Sequence, residues 1–297
     1  MKGHTIKEWL LVTRPWSFPA STMPVLVTMM FLWNKGFEVS WILGFMALVN
    51  IVLIHAAGNV WSDYFDYRRG VDAADTYGVR ILTDRLFTPR EVLSLSLVLQ
   101  IAAIVMGLLM VCLTGVTLLW FGLAGIVLSL FYPPLKYAAY GDLVIMACYA
   151  LLPMLGTTFI CSGEIVPEVL WLAVPIGSIT VAILHANNTR DIETDGRAKI
   201  RTFAMLTGRR FAIGMYIFEL TLPYLWLIVT ALLGLVNPWT LLTLITLPIA
   251  IGNCRKMLSY HTGGIKAIAS LDEATAKLQL AFSLTLAIGL ITDVLTA

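Results

Sequence analysis

The sequence predicts an all-α integral membrane protein: nine transmembrane helices around a central cavity, with the N-terminus inside and the C-terminus outside. Three observations predict it. The 297 residues are 59% hydrophobic and only 13% charged, about half the charge of an ordinary soluble domain. The apolar residues gather in runs close to the roughly 20 residues a spanning helix needs. When these runs are threaded back and forth, all but Lys35 of the 20 Lys and Arg residues fall on one side, the side that cytoplasmic loops normally occupy. A water-soluble globule, a disordered chain and a secreted disulfide scaffold are excluded by the same numbers. The net charge of +2 says little beside the placement of the charges.

The runs lie at 16–33, 41–60, 92–113, 116–131, 143–161, 169–187, 211–235, 239–254 and 278–296. The first follows a polar stretch, Met1 to Thr13, and no small-residue cleavage site comes after it, so no removable signal peptide is expected. The stretch 92–131 is too long for one span and is divided at Thr114-Gly115. The stretch 211–252 is divided at Asn237-Pro238, because proline disfavours helix in the residue before it, and the eighth span is then short. Merging either pair would carry later basic clusters to the wrong side. The inner loops after the second and sixth spans are long and carry both signs, whereas the outer connections are short and nearly uncharged. No soluble domain, Gly/Ser linker or low-complexity tract interrupts the chain, which reads as one domain over 1–297. Cys112, Cys148, Cys161 and Cys254 lie in or beside apolar runs at no metal-ligand spacing and read as small hydrophobes.

Two polar clusters stand out against this background. From the end of the second span onward come His55, Asn59, Asp63, Asp66 and Asp72; from the end of the sixth come His185, Asn187, Asp191 and Asp195. Asn59 and Asp63 are four apart and Asp66 is three further on, while Asn187, Asp191 and Asp195 are spaced by four and four. Such spacing puts each set on one helix face. The repeated N-x-x-x-D suggests two related halves facing each other across a cavity. Stacked carboxylates repel, and near a membrane they are costly, so a positive species between them is expected. Carboxylates with an amide carbonyl suit a hard cation, above all Mg²⁺, which binds through one or two carboxylates plus substrate phosphates. Arg68, Arg69, Lys136, Arg190, Lys199 and Arg201 lie on the same inner side and can complete the neutralisation of a diphosphate, or can serve as inner-side anchors and loop ion pairs.

The pattern N-x-x-x-D-Y-x-D-x-x-x-G-x-D beginning at Asn59, with N-x-x-x-D-x-x-x-D beginning at Asn187, resembles the UbiA superfamily of membrane prenyltransferases. Tyr132-Pro-Pro-Leu-Lys136-Tyr137 with Gly141-Asp142, Arg14-Pro15, and Arg201-Thr202-Phe203-Ala204 to Gly208 resemble further family segments, so the likeness covers essentially the whole chain. The spacing Asp63-Tyr64-Phe65-Asp66 followed by Gly70-Val71-Asp72 is most similar to the menaquinone branch, with Ser62 and Ala198-Lys199-Ile200 departing from its pattern.

The resemblance implies transfer of a polyprenyl group from its diphosphate to an aromatic acceptor, 1,4-dihydroxy-2-naphthoate in menaquinone biosynthesis, with Mg²⁺ as cofactor. It implies that Asn59, Asp63 and Asp66 hold one Mg²⁺–diphosphate face, with Asp72 an addition, and that Asn187, Asp191 and Asp195 hold the other. Lys136 and Arg201, then Lys199, are expected on the diphosphate. Tyr132 lines the substrate site, and Arg14 either pairs with an acceptor carboxylate or anchors the first helix. Trp61, Tyr64, Phe65, Tyr67, Tyr132 and Tyr137 are candidates for cation–π contact with a carbocation, or for an interfacial belt. Glu219 is a carboxylate inside the seventh span that either hydrogen-bonds within the bundle or lines the acceptor pocket. His55 and His185 read as packing or supporting residues. The expected setting is the inner (cytoplasmic) membrane with the site facing the cytoplasm. The partners are the lipid bilayer and the two substrates, with no nucleic acid, and oligomeric state and prenyl chain length are left open. The same motifs are compatible with 4-hydroxybenzoate, haem or a sugar phosphate as acceptor. A phosphatidyl-type transferase expects one denser cluster. A transporter expects midplane charges on broken helices, and here only Glu219 has that position.

Overall fold

Helix follows helix through the residues that this computed structural model describes, 4–71 and 81–296, and no strand occurs among them. Asp72 lies outside the described residues. The chain starts with a short helix, α1 (Ile6–Val12), closed by a reciprocal cap between Thr5 and Glu8. Arg14 then takes a left-handed backbone (φ 56°) ahead of a 3₁₀ turn at Pro15–Ser17, so the first apolar run enters regular helix only at α2 (Pro19–Asn34), 16 residues long. α3 (Trp41–Arg69) is 29 residues long and stops at Gly70, whose φ of 69° suits a residue without Cβ. α4 (Pro89–Thr114) begins with a Thr88–Glu91 capping box and Pro89 in its first turn. Gly115 (φ 119°) separates it from α5 (Thr117–Lys136), where the sequence places the break.

α6 (Gly141–Ser162) contains a π-helical segment at Ala147–Leu151, immediately before Pro153. Proline has no N–H to give the carbonyl four residues back; the local widening turns Cys148 and Tyr149 toward the interior of the bundle. α7 (Pro167–Arg190) is followed by the short α8 (Ile192–Arg197) and α9 (Phe203–Thr207), then α10 (Arg209–Leu232), α11 (Pro238–Ile268) and α12 (Leu271–Thr296). Among the described residues, eight helices (α3 to α7 and α10 to α12) are long and apolar enough to cross a membrane. α2 falls below that length because its first residues are spent in the 3₁₀ turn.

The short eighth run has a structural solution. It is entered through nine residues of 3₁₀ helix, Pro238–Thr246, which rises about 2.0 Å per residue against 1.5 Å for α-helix and so reaches further. Period three puts Thr240, Thr243 and Thr246 on one buried face, each hydroxyl donating to the carbonyl three residues back. Against this segment α12 offers Gly289, where a Cβ would stand 2.3 Å from the Trp239 carbonyl oxygen.

α7 runs through the middle of the bundle, with Leu172, Ala173, Ile176, Ile179 and Ala182 all fully buried. It packs against α6, α10 and α12, and Gly177 admits Met146 and Ala150 of α6. Interhelical hydrogen bonds tie the frame: Tyr216 to Thr275 (2.6 Å), Tyr224 to Thr246 (2.8 Å), and the Asn34 amide to Leu290 O and Asp293. In lipid each contributes about 0.6 kcal/mol on average. α4 and α5 form an outer hairpin whose Val105, Leu109, Trp120 and Phe131 are exposed, as suits side chains that face hydrocarbon rather than water. All four cysteines are free.

Candidate active site

One cavity of about 870 Å³ is lined by α2 to α7, with the start of α12 at one end. Its walls change character along its length. Toward the α4–α5 turn they are apolar, with Met110, Val111, Leu118, Leu119 and Phe121. Toward the other ends of α3 and α7 they carry Arg14, Asn59, Asp66, Tyr132, Lys136, Asn187, Arg190, Asp191 and Asp195. The two N-x-x-x-D motifs thus meet in a single space at the polar end of an apolar channel.

The first motif sits on the last turns of α3. Asp66 is 7% exposed and accepts three hydrogen bonds: from the Tyr137 hydroxyl (2.6 Å), from Lys136 Nζ (3.1 Å) and from Ser62 Oγ (3.3 Å). Burial and the neighbouring Asp66 push the Tyr137 hydroxyl above its ordinary range, so it stays protonated and donates. Asp63 is buried beside the cavity and pairs with Arg14. Asn59 donates its amide protons to the Thr13 carbonyl and to Ser17 Oγ, both at 3.1 Å.

The second motif closes α7 and opens α8. Arg190 grips Asp191 through two bonds of 2.8 Å, holds Asn187 Oδ1 at 2.7 Å and reaches Asp272 of α12 at 3.2 Å. Asp195 is 5% exposed. Burial pushes its carboxyl up to about 7; Asp191 and Asp66 add to the rise, while Lys136 and Arg190 oppose it. The positive charge demanded by stacked carboxylates is therefore supplied in part by the chain itself, through Arg14, Lys136 and Arg190.

Of the residues singled out from the sequence, Asn59, Asp66, Asn187, Asp191, Asp195, Lys136, Tyr132 and Arg14 line the cavity. Asp63 stands just behind it. Lys199 and Arg201 are exposed and away from the cavity wall, on the segment where Arg201 N bonds the Tyr137 carbonyl. Among the six aromatic candidates only Tyr132 faces the cavity; Trp61 instead donates to Leu130 O and packs at a tilt against Phe65. The aromatic walls come from Trp16, Phe121, Tyr132 and Tyr149. Sequence reasoning missed Tyr149, whose signal was the Pro153 four residues on, and Asp272 and Glu273, whose approach from α12 had no sequence signal.

Glu219 hydrogen-bonds within the bundle and does not line the cavity. Its Oε1 lies 3.1 Å from His185 Nδ1, and Asp142 Oδ2 lies 3.7 Å from the same nitrogen. The ligand atoms of these three side chains lie within 4.8 Å of one another. They could hold a cation, but an imidazole in the set suits Zn²⁺ better than Mg²⁺. The cavity set is different: carboxylates and amide carbonyls only, the donors of a hard divalent cation. Asn59 has both N–H groups committed to the protein, which leaves its carbonyl oxygen for a ligand.

The family profile described as the UbiA prenyltransferase family matches residues 21–292. This chain belongs to the UbiA prenyltransferase family. UbiA prenyltransferase domain-containing protein 1 of Xenopus tropicalis is 31% identical over 291 residues, 95% of this chain and 81% of that protein. Among solved structures, a UbiA homologue from Aeropyrum pernix K1 superposes with a TM-score of 0.70 at 17% identity, over 94% of this chain and 97% of that one. A UbiA homologue from Archaeoglobus fulgidus bound to DMAPP and Mg²⁺ gives 0.61 at 13% identity, over 94% and 99%. The UbiA fold accounts for the helical bundle.

Proposed function

We propose that this UbiA prenyltransferase transfers a polyprenyl group from polyprenyl diphosphate to 1,4-dihydroxy-2-naphthoate, with Mg²⁺ as cofactor. One observation carries the reading: two Asn/Asp motifs and Lys136 converge at the polar end of a long apolar channel. That is the shape of a molecule with a diphosphate head and a hydrocarbon tail. The Archaeoglobus fulgidus homologue is a structure with DMAPP and Mg²⁺, which supports the same ligands here.

Asn59, Asp63, Asp66, Asn187, Asp191 and Asp195 are the residues that would hold Mg²⁺. When bound, the cation supplies Lewis-acid neutralisation of the leaving diphosphate. The chain's own residues do the rest. Lys136, already 3.1 Å from Asp66, bonds the diphosphate oxygens as the allylic C–O bond breaks and its electron pair leaves with them. Arg14 and Arg190 hold the motif carboxylates in place. Tyr132 and Tyr149 present ring faces to the allylic cation, worth about 2 kcal/mol where water is excluded. The acceptor ring supplies the electron pair of the new C–C bond and regains aromaticity by losing the proton or carboxylate carried there. Arg201 and Lys199, exposed on the segment after α8, are the further proposed contacts of the diphosphate.

The topology is part of the same reading. Nine spans, N-terminus inside and C-terminus outside, follow when α2 is counted: its 16 residues reach ~24 Å, and the preceding 3₁₀ turn brings this near the ~30 Å core. The chain then acts as one domain over 1–297, in the inner membrane, with the site opening to the cytoplasm.

The test is an acceptor comparison. Purified protein in detergent is given Mg²⁺, a polyprenyl diphosphate and either 1,4-dihydroxy-2-naphthoate or 4-hydroxybenzoate, with an EDTA control, and product is read by mass. Product from the naphthoate alone, lost with EDTA, is expected. Product from the benzoate alone would move the chain to the ubiquinone-type acceptor.

A further inference from the structure

We infer that His55, acting through Ser17, is a positioning residue that fixes the orientation of the Asn59 amide and so aims its carbonyl oxygen at the metal-binding end of the cavity. The inference rests on the proposed metal role of the first motif.

Asn59 Nδ2 lies 3.1 Å from the Thr13 carbonyl oxygen, which can only accept. The atom facing it must therefore be the NH₂, and Oδ1 must face the other way. The second amide proton goes to Ser17 Oγ at 3.1 Å. A hydroxyl has a single proton, and Ser17 has two acceptors for it: the Arg14 carbonyl at 2.8 Å and His55 Nε2 at 3.2 Å. The shorter of the two contacts is the one to the carbonyl. His55 Nε2 must then carry a proton and donate to Ser17, and its Nδ1 accepts from Ser21 Oγ at 2.8 Å. Ser21 Oγ also lies 3.1 Å from the Phe18 carbonyl, but that carbonyl already accepts the backbone N–H groups of Ser21 and Thr22, so the hydroxyl proton goes to the nearer His55 Nδ1.

The consequence is that Ser17 Oγ has both lone pairs filled, by Asn59 and by His55, and its proton spent on Arg14. It cannot rotate to donate to Asn59 Oδ1. Without His55, Ser17 Oγ keeps only its bond to Arg14 besides that to Asn59, can swing about it, and so holds the Asn59 side chain less firmly. The same bonds hold the left-handed corner at Arg14, whose φ is 56°. His55 is 6% exposed and packed edge-on to Tyr149, so the ring is fixed by packing as well.

The decisive experiment is a double-mutant cycle read by metal binding rather than turnover. Mn²⁺ is titrated into the full chain in detergent, alone and with inorganic diphosphate, and free Mn²⁺ is followed by EPR. His55→Ala and Ser17→Ala should each weaken binding about tenfold, the lower end for supporting residues of a metal site. His55→Gln, whose amide can still donate to Ser17, should recover most of the loss. In an Asn59→Ala background, His55→Ala should cost nothing further. In turnover, His55→Ala should raise the Mg²⁺ KM more than it lowers kcat. Unchanged Mn²⁺ affinity in His55→Ala, or the same tenfold loss with Asn59 already removed, would overturn the inference while leaving the metal site intact. Wild-type protein that binds no Mn²⁺ would overturn the metal reading itself, and this inference with it.

Discussion

At the Asp66 carboxylate, a tyrosine, a lysine and a serine converge; at Asp195 the surroundings are buried and partly negative. The second setting decides how Asp195 titrates. Asp195 is raised to about 7, from an unfolded value near 3.9. Its proton stabilises the metal-free fold fully below the unfolded value, and that contribution disappears as pH rises through about 7. In EDTA, therefore, the melting temperature in detergent is expected to fall between about pH 4 and pH 7 and to level off above it, and Mg²⁺ should restore it. Because the metal must displace the proton, Mg²⁺ affinity should rise about tenfold per unit up to pH 7 and then level off. Asp195→Asn should abolish both trends. A second outcome concerns Tyr137. Tyr137→Phe removes the 2.6 Å bond to Asp66 and should raise the Mg²⁺ requirement, with little change in fold. The carboxylates and asparagines were legible in the sequence because helical spacing puts them on one face. Tyr137, Arg190 and Asp272 were not legible as their partners, because bonds between elements depend on packing that no spacing encodes. Arg14 was read as facing an acceptor carboxylate or anchoring the first helix; its partner is a carboxylate of the chain, Asp63.

Element boundaries set by single residues were legible, and departures from α-helix were not. The breaks at Gly115 and at Asn237-Pro238 fall where glycine and proline forbid continuation. The 3₁₀ stretch that follows Pro238 has a sequence trace, threonine at every third position, yet apolar periodicity alone reads it as a short α-helix. Its packing has a sharp consequence. Gly289→Ala places a methyl 2.3 Å from the Trp239 carbonyl oxygen, so α12 or the 3₁₀ segment must shift. The expected cost is about 1–3 kcal/mol, seen as a lower melting temperature with the motif residues untouched. The π segment of α6 is the matching case near the cavity. Pro153→Ala should let α-helix re-form through Ala147–Leu151, turn Tyr149 away from the cavity wall and lower kcat more than it changes Mg²⁺ binding.

Across the whole molecule, the charge asymmetry and the echo of N-x-x-x-D made a polar pocket at one end of a membrane bundle legible before any coordinates. The depth and shape of the apolar channel were not, since they depend on how α4 and α5 lean against α3 and α6. The two motifs are alike in sequence but unlike in support. Asn59 is anchored through its nitrogen and Asn187 is held through its oxygen by Arg190. The central claim is that both motifs act together on one diphosphate. The direct measurement is prenyl transfer at saturating Mg²⁺ by Asp66→Ala and by Asp191→Ala, each shown to be folded in detergent. A loss of at least about 100-fold in each, comparable to removing a key charge-stabilising group elsewhere, is expected. A near-wild-type rate in either folded variant would contradict the two-motif mechanism.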